Sequence, residues 1–189
     1  VVRAGIGREG EQQWAGAAVW LVNAAFPRGS THPATWPTCA LLLPHALSVV
    51  NHADTLGVEP AATAQVLNEA SVYLQSRAQY TQALMLREQA LTVFRRVLGD
   101  DHPNTLISMS NLATTRWHLG DPQGARDMFE HALAAQRRVL GDDHPDTLDS
   151  MNNLAVTLWA LGDLDGARQL HEQALAGRRR GLGDDHPDT

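Results

Sequence analysis

The hexapeptide LGDDHP is written three times, at Leu98–Pro103, Leu140–Pro145 and Leu182–Pro187, each copy 42 residues after the last. Laying residues 98–139 over 140–181 gives 27 identities in 42 positions, so the phrase belongs to a long internal repeat. A period near 40 residues marks an array in which each unit covers the apolar face of its neighbour. Outward from the hexapeptide, the apolar residues of the last full unit fall into two blocks with a 3.6-residue period. The first block is Leu148, Met151, Leu154, Ala155 and Leu158; the second is Leu164, Ala167, Leu170, Ala174 and Leu175. Each block predicts one amphipathic helix. Between them stands Leu161-Gly162-Asp163, where the glycine can end one helix in the left-handed region and the aspartate can cap the next. The preceding unit has Pro122 after the same three residue types, at a first helical position that needs no N–H. LGDDHP is then the link between helical hairpins. Its glycine stops a helix, while the Asp pair, the His-Pro and the following Asn104, Asp146 or Asp188 are all candidates to start another.

Bulk composition agrees. A chain of 189 residues, 43% hydrophobic, is long enough for a sizeable core, and with only 5% aromatics its apolar content is mostly Ala and Leu, which favours helix. The expected fold class is all-α. Net charge is −6, so the positive field that non-specific nucleic-acid binding needs is missing. All 15 basic residues are Arg; without lysine there is neither a P-loop nor a Schiff-base amine. The single cysteine, Cys39, forms no intrachain disulfide, fits a reducing cytoplasm and reads as a small buried hydrophobe. Ala15–Phe26 is apolar, but Glu9 and Glu11 stand where a signal peptide has positive charge, and the stretch is too short to span a bilayer. The chain starts without Met and stops a few residues into another repeat, and we expect a longer parent protein.

Small residues recur at matched positions: Ala113, Ala125 and Ala132 in one unit, Ala155, Ala167 and Ala174 in the next. That spacing behind a leucine resembles the tetratricopeptide repeat. The phrasing HPxTLxSMxNLAxxxWxLGDxxGAR is similar to its 42-residue variant, found in kinesin light chains and in the C-terminal arrays of bacterial NB-ARC-type signalling NTPases. The resemblance implies a right-handed α-α superhelix of stacked hairpins. Its divisions are a helical pair at 1–55 that serves as degenerate repeat or linker, a divergent repeat at 56–97, repeats at 98–139 and 140–181, and the start of another at 182–189. The divergent repeat keeps Leu56, Gly57, Ala83 and Ala90 but has Ser71 where Ala113 is expected. Before it, helical patterns run over Glu9 to Ala25 and roughly Thr35 to Ala53; Pro37 and Pro44 are expected to strain the second. The segments AVWLVNAAFP and WPTCALLLPHA look like those joining nucleotide-binding or winged-helix parts to the repeats in NB-ARC-type proteins.

Chemistry-bearing residues point to binding and not to catalysis. His102, His144 and His186 recur once per repeat and so form a line, whereas a metal needs ligands around one centre. HExxH, CxxC, GxSxG and GxGxxG are absent, and the carboxylates suit caps and surface pairs. The clusters Arg95-Arg96, Arg137-Arg138 and Arg178 to Arg180 close second helices, where cations are favoured and acids follow; a phosphate-binding stripe along one edge is the alternative. In the tetratricopeptide resemblance the first helix of each hairpin lines the concave face. That implies a peptide-binding surface of Asn68 and Glu69, then Ser110, Asn111, Thr114 and Trp117, then Asp149, Asn152, Asn153 and Trp159, with Gln65, Gln75 and Val156 beside them. Asn111 and Asn153 match the asparagine that bonds a ligand's main chain in peptide-binding members, and Glu69 replaces it in the divergent repeat. Local bonding between helices is the competing role for the asparagines, and packing for the tryptophans. The expectation is a non-catalytic scaffold without cofactor or metal, in the cytoplasm, taking a protein or peptide partner and no membrane or nucleic acid. Self-association through an exposed terminal helix is the second reading.

Overall fold

A computed structural model describes residues 7–28 and 30–183. His186 and Asp188, the candidate ligand and cap of the third hexapeptide, lie outside these. In chain order the helices are α1 Arg8–Ala25, α2 Trp36–Leu56, α3 Pro60–Ser76, α4 Tyr80–Leu98, α5 Pro103–His118, α6 Pro122–Val139, α7 Pro145–Ala160 and α8 Leu164–Leu182, with a 3-10 turn at Pro33–Thr35 before α2. No strand occurs among the described residues. The fold class is all-α, of the α-α solenoid type. The chain divides into two compact units, Val1–Val97 and Leu98–Thr189.

In the second unit α6 packs against α5 and α7, α8 packs against α7, and α5 touches α7. The two hairpins turn alike. Gly120 and Gly162 take φ 83° and 89°, and the amides of Asp121 and Asp163 reach back to the carbonyls of Arg116 and Leu158, each at 3.0 Å. The Asp121 and Asp163 carboxylates then accept from the Gly124 and Gly166 amides at 2.9 and 3.0 Å, satisfying donors that the new helix leaves open. Ala113, Ala125, Phe129, Leu133, Leu148, Met151, Leu154 and Ala174 form the core, with Trp117, Met128, Leu158 and Leu170 against it.

The link between hairpins resolves the competition for the cap in favour of histidine. His102 and His144 are the N-caps of α5 and α7, with Nδ1 accepting from the Asn104 and Asp146 amides at 3.1 and 3.2 Å. His32 does the same for Ala34 at 3.3 Å, again ahead of proline. Proline at N1 offers no N–H, so the first amide to satisfy lies two residues on, within reach of the imidazole. Both links also use their acids. Arg138 bonds Asp101 and Arg180 bonds Asp143, each tying the end of a hairpin's second helix to the link that begins that hairpin. Arg137 pairs with Asp142 of the next link at 3.1 Å.

In the first unit α1 packs on α2 and α3. Small buried residues seven apart, Ala83 and Ala90 in α4, have counterparts in α2 at Cys39 and Ala46, all fully buried. Cys39 therefore fills a small-residue slot. Helix α2 is continuous from Trp36 to Leu56, with Pro37 in its first turn and Pro44 inside. Pro44 and Ala40, whose carbonyl loses its partner, are both exposed, so water can take the missing donor's place. Ser71 has a reason as well. Arg87 is buried and donates from Nε to the Ser71 hydroxyl at 3.0 Å, where the next repeat pairs Ala113 with Phe129 in its core. Burial pulls the Arg87 guanidinium down to about 10.

Candidate functional site

The candidate residues of the second unit sit on two neighbouring helices at corresponding positions. On α7 Asp149, Asn153 and Val156, with Asn152 and Trp159 beside them, are spaced by three and four residues, which puts them along one side of the helix. On α5 Ser110, Asn111, Thr114 and Trp117 hold the equivalent places. Asn68 and Glu69 hold them on α3, in the first unit.

Their surroundings differ. Ser110 is only 9% exposed and its hydroxyl shares a 3.0 Å hydrogen bond with that of Ser150, so it lies in the seam between α5 and α7. Thr114 donates to the Ser110 carbonyl at 3.0 Å within its own helix. Trp117 is half-buried against the core and meets His118 edge to face at 5.1 Å. Asn111, Asn152 and Asn153 are half-buried; Asn111, like Asn68 and Glu69, is engaged within the fold. The carbonyls of Asn111 and Asn153 accept from Thr115 and Thr157 at 3.2 and 2.8 Å, which turns two buried hydroxyls into backbone bonds. Asp149 is exposed and takes a 2.9 Å bond from Arg178 of α8. Trp159 stands in solvent, 66% exposed, with Val156 one turn before it.

The charged clusters are largely consumed by the links. Arg137, Arg138, Arg178 and Arg180 each pair with an aspartate, and Arg180 holds the Asp143 carboxyl below the usual carboxylate range chiefly through its hydrogen bond. These pairs offset part of the positive charge that a phosphate stripe would use. Sequence reasoning had the histidines among several cap candidates and the arginines beside neighbouring acids, without choosing the cap or the aspartate that each arginine meets. The available signals were proline after each histidine, which empties the first donor position, and the recurrence of both Asp and both Arg at the repeat period.

Among the described residues no group of three or more His, Cys, Asp or Glu is placed to hold a metal ion. No described helix is long and apolar enough to cross a membrane. An open cleft of about 480 Å³ lies between α2, α3 and α4, over Val50, Leu67, Met85 and Val93, and none of the candidate residues lines it. What remains chemically is one solvent-facing indole beside carboxamides able to donate to C=O and accept from N–H at once.

The sequence model of the Tetratricopeptide repeat family matches residues 61–137 and 108–180. No curated protein matches the chain. Among solved structures, BtubC (BKLC) from P. vanneervenii aligns with a TM-score of 0.62 at 18% identity, over 95% of this chain and 76% of that one. The nearly identical TPR-like repeats of a candidate kinesin light chain from Podosopora anserina, solved in two forms, align with TM-scores of 0.58 and 0.57 at 21% identity, covering 95% of this chain and 92% of those.

Proposed function

The chain belongs to the tetratricopeptide repeat family, and from that premise we propose that it is a non-catalytic scaffold binding a protein or peptide segment along the first helices of its repeats. The repeats are taken as 56–97, 98–139 and 140–181, with 1–55 a degenerate pair or linker and 182–189 the start of a further unit. The observation that carries the reading is Trp159, two-thirds exposed at the end of the Asp149, Asn152, Asn153 and Val156 stripe. An aromatic anchor beside carboxamides is a frequent combination at peptide-binding hot spots. Asn153 and Asn111 take the ligand's main chain, Trp159 covers an apolar side chain, and Asp149, Asn152, Thr114 and Trp117 complete the face. Ser110 supports it from the seam, and Asn68 and Glu69 stand at the matching positions of α3 in the first unit.

A peptide selected on the chain from a random display library tests this. Trp159→Ala and Asn153→Ala should each weaken its binding about tenfold or more. Binding unchanged in both variants removes the assignment. At a coarser level, the array serves as the sensor of a larger bacterial NB-ARC-type signalling NTPase in the cytoplasm, where a ligand that prefers one state shifts an on/off equilibrium. The support is the likeness of the 42-residue phrasing and of the segments before it. A P-loop encoded upstream of Val1 in the same gene is the expected finding, and its absence sinks this part.

A further inference from the structure

From Gln12 to Ala25, helix α1 carries no charge on either side. Its inner side, with Ala15, Gly16, Val19 and Asn23, is buried. Its outer side exposes Trp14 (69%), Leu21 (71%) and Trp20 (55%). An exposed apolar patch of this kind marks a surface that something covers. The outward residues Gly10, Trp14, Ala17, Leu21 and Ala24 follow alternating steps of four and three, small and large in turn. This is the spacing of a seam between two paired helices.

We infer that the outer face of α1 pairs with α1 of a second copy of this chain, antiparallel about a twofold axis at the level of residue 19. In that register Trp14 lies level with the second copy's Ala24, and Leu21 with its Ala17, so every layer sets a large side chain against a small one. The contact is isologous and closes on itself. Arg28, just past the helix end, comes level with the second copy's first turn, where Glu9 and Glu11 stand, and the two helix dipoles run head to tail. A parallel pair would set Trp14 on Trp14 and the acidic turns on each other. Three side chains this exposed offer on the order of 400 Å² per copy. Roughly 800 Å² for the pair is below the standard interface size, so the dimer is weak. The surface shares no residue with the peptide face on α5 and α7.

Sedimentation equilibrium of the chain from low-micromolar to submillimolar concentration should show a reversible monomer–dimer equilibrium. Ala17→Glu should weaken it at least about tenfold, with unchanged circular dichroism and melting, since residue 17 is exposed on a helix that tolerates glutamate. Leu21→Gln is the second variant, and Trp159→Ala should leave the equilibrium alone. Mixed Ala17→Cys and Leu21→Cys chains should cross-link 17 to 21 in preference to 17 to 17; Cys39, fully buried, does not interfere. A chain that stays monomeric throughout overturns the inference, as does a dimer indifferent to Ala17→Glu and Leu21→Gln or a dominant 17-to-17 cross-link. A monomer that instead binds phosphatidylcholine vesicles through Trp14 assigns the face to a lipid surface and overturns it equally.

Discussion

Imidazole is not among the favoured helix caps, yet His102 and His144 cap α5 and α7 by accepting at Nδ1. His102→Ala and His144→Ala should each cost about 0.5–2 kcal/mol, as other cap deletions do, while His144→Asp should retain most of the stability. Chemical denaturation of the three variants measures this. A second residue-scale effect sits at Ala78, whose φ of 57° places a non-glycine in the left-handed region at the position where the next two hairpins have Gly120 and Gly162. Ala78→Gly should stabilise the chain by about 1 kcal/mol, seen as a melting temperature higher by roughly 2–4 °C. The hexapeptide announced a link, but not which of its residues caps the next helix. Lists of cap residues rank aspartate first, and only the empty donor position at proline shifts the choice to the histidine before it.

Between elements, the pairing of Ser71 with Arg87 replaces the apolar pairing of Ala113 with Phe129. Ser71→Ala alone should cost about 1–3 kcal/mol, because a buried guanidinium loses an acceptor. Ser71→Ala with Arg87→Phe, which imports the neighbouring repeat's solution, should be neutral or stabilising, since well-packed apolar groups often match a buried charge. Equilibrium unfolding of the single and double variants decides it. The link ties act differently. Because Arg180 lowers the Asp143 pKa, the tie stabilises above the usual carboxylate range and is lost as pH falls through that lowered value. Asp143→Asn should flatten the acid limb of the stability profile, and added salt should shrink the difference between variant and parent. Helix positions and hairpin turns were legible from periodicity. Ser110's place in the seam was not, because one residue step turns a helix by 100° and nothing in the sequence says how the neighbouring helix is rotated toward it.

Across the molecule, two compact units contain repeats that meet chiefly their neighbours in sequence, and damage should stay local. Met151→Ala, in the core of the second unit, should cost about 2–5 kcal/mol there. Amide exchange should quicken in α5 to α8 and much less in α1 to α3. The array was readable because the same 42 residues return with their apolar period intact. The first 55 residues were harder: α2 buries Cys39 and Ala46 seven residues apart, a pair whose cysteine hides the likeness to the alanines of later repeats. The candidate face was legible only as positions on a helix, and the degree to which each side chain meets water, from Ser110 to Trp159, came from packing.

The ties of Asp101 with Arg138 and of Asp143 with Arg180 each close inside a single 42-residue stretch, so both of these stretches carry their own clasp, while Arg137 reaches across to Asp142 of the next. Cutting out residues 98–139 would join Val97 to Leu140 and spell VLGDDHP, the wording already present at both original boundaries. Taking out or adding one whole stretch therefore leaves the wording of every joint as it was.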